Sequence, residues 1–88
     1  MPASPLSDVL VTLAHAQALS ERLPPLSADV EAVALVIAAL KVLHRNITGV
    51  NGRATLVINH TRASVAQARA AMARIERRAP RVDGLRAR

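Results

Sequence analysis

Eighty-eight residues allow one domain at most, and this chain must build its core without a single Phe, Tyr or Trp. The absence of cysteine excludes disulfides and Cys-based zinc or iron–sulfur sites. The net charge of +6 is uneven: up to Gly52 the acids slightly outnumber the bases, whereas nine arginines follow against Glu76 and Asp83 alone, which points to an acidic partner for the second half.

The first element opens on Ser4-Pro5, a helix N-cap followed by proline at the first helical position. Leu6, Val9, Leu10, Leu13, Ala16 and Leu23 then recur at helical spacing, and Asp8 complements the dipole of the first turn. Asp8 also interrupts the apolar stretch, and no basic region precedes it, so a signal peptide is not expected and the chain reads as cytoplasmic. Pro24-Pro25 breaks the helix.

Ser27 caps the second element, with Asp29 and Glu31 in its first turn. Val30, Val33, Ile37, Leu40, His44 and Ile47 form one heptad seam, and small or apolar residues fill most of the remaining surface. A helix apolar nearly all round is a buried one. Only two other helices are available to cover it, and the many alanines remove little apolar area from water. The chain is therefore expected to self-associate. No run is long enough to span a bilayer; the longest uncharged apolar stretch is Ala32 to Leu40.

Residues 46–58 admit two readings. Gly49 and Gly52 break helix propensity, and Asn51-Gly52 between β-prone residues signals a type I′ hairpin. The favoured reading is a loop followed by one long helix from about Arg53, because Ala54, Ile58, Thr61, Val65, Ala68, Met72, Ile75 and Ala79 keep an unbroken heptad spacing. Pro80 ends that helix, and 80–88 reads as a basic flexible tail.

Few residues invite chemistry. His15, His44 and His60 fall one on each predicted helix, without the neighbouring carboxylates or thiolates that a metal site needs, and are read as structural or surface residues. No nucleophile–base–orienter set or paired carboxylate is present. Asn46-Ile47-Thr48 and Asn59-His60-Thr61 match the glycosylation sequon, accidentally for a cytoplasmic chain. The run from Ile47 to Leu56 resembles the part of histidine-kinase dimerisation helices just after the phosphorylated residue. The reactive position then falls on Lys41, so the resemblance implies a dimerising helical hairpin without kinase chemistry. Gly49 to Gly52 followed by Arg53 also resembles the glycine loop of KH-type RNA-binding domains, whose exposed amides clamp a phosphate backbone. That fold would require a sheet.

The sequence thus predicts an all-α three-helix unit over 1–79, with helices at about 5–23, 27–46 and 53–79, that self-associates. Its expected role is that of a non-catalytic interaction or assembly module: an adaptor, a small chaperone or a structural subunit. No cofactor, metal or small-molecule substrate is expected. Homo-oligomer or partner-helix contacts are expected at Val33, Ile37, Leu40, Ile58, Val65, Met72 and Ile75. The alternative is nucleic-acid or acidic-partner binding through Arg62, Arg69, Arg74, Arg77, Arg78 and Arg81, since guanidinium groups pair bidentately with phosphates and carboxylates.

Overall fold

A computed structural model describes residues 4–78. Three helices follow one another: α1 (Pro5–Arg22), α2 (Ala28–Thr48) and α3 (Thr55–Arg78). The expected contacts of Arg81 and the tail over 80–88 lie outside the described residues.

Local chemistry sets the helix starts. The Ser4 hydroxyl accepts from the Ser7 amide at 3.1 Å, and the Ser27 hydroxyl from the Val30 amide at 3.1 Å. Each satisfies one of the amides that a helix N-terminus leaves without a partner. Between α1 and α2 the chain reverses through Pro24–Ser27, closed by the Ser27 amide on the Pro24 carbonyl. Pro25 presets the turn, and Leu26 takes φ 65°, the one positive φ among the described non-glycine residues. That region favours Gly or Asn. Leu26 is also 96% exposed, so no buried contact offsets its strain.

The second connection runs from Gly49 to Ala54 and contains no strand, so the hairpin reading of 46–58 fails. A type I′ turn needs positive φ at both central residues. Neither Asn51 nor Gly52 has it. Gly52 is required for a different reason: a Cβ there would lie 2.0 Å from the Ile47 carbonyl oxygen. Helix α2 reaches Thr48, two residues beyond the sequence expectation, with Thr48 Oγ1 donating to the His44 carbonyl at 2.7 Å and Gly49 as C-cap. Helix α3 starts at Thr55 instead of Arg53, after the Ala54 amide closes a turn on the Asn51 carbonyl.

Helix directions follow from the pairs between helices. Arg69 of α3 meets Thr12 and Asp8 of α1, and Glu76, one heptad later, meets His15 and Arg22. Thus α1 and α3 run parallel. Arg78, near the end of α3, holds Asp29 at the start of α2, so α2 runs against both. The core between them consists of Val9, Ala16, Leu19 and Leu23 from α1, Val33, Leu40 and Leu43 from α2, and Val65, Met72 and Ile75 from α3. Two threonines complete it. Thr61 Oγ1 donates to the Val57 carbonyl at 2.7 Å, and Thr12 Oγ1 accepts from Arg69 Nε at 3.2 Å. Among the described residues no buried side-chain polar atom lacks a partner, as a well-formed interior requires.

Candidate docking surface

The residues expected to meet a partner lie mostly inside the chain. Val33, Leu40, Val65, Met72 and Ile75 are buried between the three helices. Ile37 is half-buried against that core, and Ile58 is half-buried near the start of α3. One copy therefore uses their apolar area itself. The opposite side of α2 is left exposed.

That opposite side carries exposed apolar side chains over its middle turns. Leu35 is 74% exposed and Val42 43%, with Ala34, Ala38 and Ala39 exposed around them. Of the four charges of α2, Asp29 and Glu31 lie in the first turn and Arg45 in the last third, while exposed Lys41 directly precedes Val42. Beside this strip, α2 and α3 splay to leave an open apolar groove of about 490 Å³. Leu35, Val36, Ala39 and Val42 line its α2 wall, and Ser64, Gln67, Ala68 and Ala71 its α3 wall. His60 is its one ionisable lining residue. Such a groove can bury apolar side chains and offers no cluster of charges to bind or activate a polar substrate. A smaller notch of about 320 Å³ between α1 and α2 is lined by Leu10, Leu13, Lys41, His44 and Arg45.

The side of α3 that faces α1 is different. Arg69 lies 3.7 Å from Asp8, and Glu76 sits 3.4 Å from both His15 Nε2 and Arg22 Nη2. These contacts are partly exposed, so each adds little to stability. They do fix how α3 is rotated against α1, because an Arg69 shifted by one turn would leave buried Thr12 unpaired.

The arginines predicted for an acidic partner are therefore divided. Arg69 and Arg78 are held by carboxylates of α1 and α2. Arg62, Arg74 and Arg77 are exposed and form no ion pair among the described residues. Along the helix Arg62 stands roughly 18 Å from Arg74 at ~1.5 Å per residue, so the three do not form one compact patch.

The histidines are dispersed as well. His15 contacts Glu76, His60 contacts Ser64 at 3.5 Å, and His44 borders the small notch. No group of three metal-binding side chains forms among the described residues. The KH-like glycines connect two helices with no sheet beside them in the described chain, which removes the frame that loop requires. No described helix is long and apolar enough to cross a membrane.

No protein-family model matches the chain, and neither a curated protein nor a solved structure does. The surface itself must carry the functional reading. Its central residues, Leu35, Ala38 and Val42, share a heptad spacing in the sequence but lie outside the seam of Val33 and Leu40 that the sequence singles out.

Proposed function

We propose that the chain is a non-catalytic interaction module that docks a helical partner on the outer face of α2. The observation that carries this reading is the exposure of Leu35 and Val42 beside an apolar groove. An exposed apolar strip rimmed by charge is the usual mark of a protein-binding surface. Alanines beside it let a second helix approach to the short end of the ~8–10 Å range of interaxial distances. The lack of any reactive pair around the groove supports a binding role over catalysis.

Site-specific photocrosslinking tests this. A photoreactive residue replaces Ala38 in the full chain, and another replaces Ala18 on the exposed side of α1 as a control. In cells expressing the chain, discrete crosslinked polypeptides are expected from position 38 and not from position 18. Equal, diffuse labelling from both positions would overturn the proposal.

A second reading is binding to duplex nucleic acid through α3. It is favoured by the exposed guanidinium groups of Arg62, Arg74 and Arg77, without ion-pair partners among the described residues, in a chain of net charge +6. It predicts an affinity that falls steeply with salt, through counterion release, whereas apolar docking holds. Gel shifts with random duplex DNA and RNA at two salt concentrations separate the two readings. No shift at low salt removes the second.

A further inference from the structure

The outer face of α2 carries a second heptad seam: Glu31, Leu35, Ala38, Val42 and Arg45, spaced by alternating steps of four and three. This spacing places all five on one line along the helix. Glu31, Leu35, Ala38 and Arg45 are exposed, Val42 largely so, and neither Glu31 nor Arg45 pairs with another residue in the described chain. The seam has a direction. It begins with an anion, ends with a cation, and is apolar between.

We propose that the partner on this face is a second copy of the chain, with the two α2 helices antiparallel about a two-fold axis at Ala38. This rests on the reading of the α2 face as a docking surface and names its occupant. Glu31 and Arg45 lie equally far from Ala38, seven residues to either side. Two-fold antiparallel pairing therefore sets Glu31 of each copy against Arg45 of the other, and Leu35 within one residue's rise of Val42. A parallel pair would oppose Glu31 to Glu31 and Arg45 to Arg45, repulsive at both ends. The antiparallel arrangement also aligns the two helix dipoles favourably. Ala38 on the axis lets the backbones approach closely, so the leucines and valines on either side interdigitate. A two-fold interface must be self-complementary, and this five-residue pattern is. One helix pair buries less than the ~1,200 Å² of a standard interface, so the dimer is expected in the micromolar range.

The charges give a test that a nonspecific apolar contact cannot pass. Glu31→Arg leaves a copy with two cations on its seam, and Arg45→Glu leaves one with two anions. Each variant alone is repulsive at both ends of its own dimer. Mixed together they are attractive at both ends. Sedimentation of the full chain across roughly 5–500 µM, a range that brackets micromolar dissociation constants, gives the readout. Circular dichroism checks the fold of each variant.

The wild type is expected to dimerise. Each single variant should dimerise at least about tenfold more weakly, since two exposed pairs turn from attraction to repulsion. The equimolar mixture should recover the wild-type constant. Raising salt to about 0.5 M, where the screening length is only a few ångströms, should narrow the gap between variants and wild type. A wild type that stays monomeric throughout would overturn the proposal. So would variants that dimerise as well as wild type, or a mixture that fails to recover. None of these touches the docking reading itself, which stands if photoreactive position 38 still captures a discrete polypeptide that is not this chain.

Discussion

The two seams of α2 differ in what they meet and not in their spacing. The inner one, from Val30 to Ile47, places Val33 and Leu40 at 0% exposure against α1 and α3. The outer one, from Glu31 to Arg45, leaves Leu35 mostly in solvent. Both obey the same rhythm of threes and fours. The inner seam is longer, uncharged at its ends and rich in β-branched residues; the outer seam is bracketed by opposite charges and centred on alanine. The difference teaches that a helix apolar nearly all round can serve two contacts. One closes its own bundle, and the other is left for something else.

Substitutions should separate the two seams sharply, beginning with the largest effect. Leu40→Ala is expected to destabilise the fold by about 3 kcal/mol, the usual cost of a cavity at a fully buried leucine. Leu35→Ala should cost less than about 0.5 kcal/mol. Urea denaturation at a concentration low enough to keep the chain monomeric measures both. Equal losses would erase the distinction between the faces.

Next in size is Gly52→Ala, which tests how the inner seam ends. The new methyl would collide with the backbone carbonyl of Ile47, which no side-chain rotation can move aside. A loss of about 2 kcal/mol is expected, typical of a steric conflict that only a backbone shift can relieve. At Gly49 the nearest atom to an added Cβ is 3.1 Å away, so Gly49→Ala should be distinctly milder in the same melt.

The turn that launches both seams gives a smaller effect of opposite sign. Leu26→Gly removes the left-handed strain of a leucine at a cost in unfolded-state entropy, for an expected net gain of no more than about 1 kcal/mol. A fall in the midpoint of thermal unfolding would contradict this account of the turn. Smallest of all for the fold is Leu35→Asp. Stability should stay within about 0.5 kcal/mol, while any association through the outer face is lost. The outer seam would not be the contact if dimerisation or crosslinking at position 38 survived this change.

The three helices and the starts of the first two were legible because they rest on local chemistry: Ser4 before Pro5, Ser27 before an acidic first turn, and the double proline between. The Asn51-Gly52 signal misleads because glycine has two uses. It permits positive φ, and it also lets one piece of backbone press on another; here only the second applies. Thr61 was legible from its place in the α3 heptad, but Thr12 was not, since a hydroxyl belongs inside only when a partner is at hand. Arg69, distant in sequence, serves Thr12, and the Val57 carbonyl serves Thr61. Nor could spacing alone tell which seam of α2 faces inward. That choice depends on the faces α1 and α3 offer, a property of all three helices together. The oppositely charged ends of the outer seam were visible from the start and gain meaning only once their exposure is known.

The three described helices give this part of the molecule a polarity that a two- or four-helix hairpin lacks. With α1 and α3 parallel, Ser4 and Arg78 lie toward opposite ends of the bundle, Arg78 beside Asp29 at the start of α2. From the α1–α3 pairing, the two points are separated along the bundle axis by on the order of 25 Å, at ~1.5 Å per residue. A polypeptide joined at one point and another joined at the other would be held apart by a strut and not gathered at a common end. In an antiparallel pair of such struts, each exit point of one copy would lie alongside the opposite exit point of its neighbour. Fluorophores at Ser4 and Arg78, on one copy or across two, would read that arrangement directly as a pair of transfer distances.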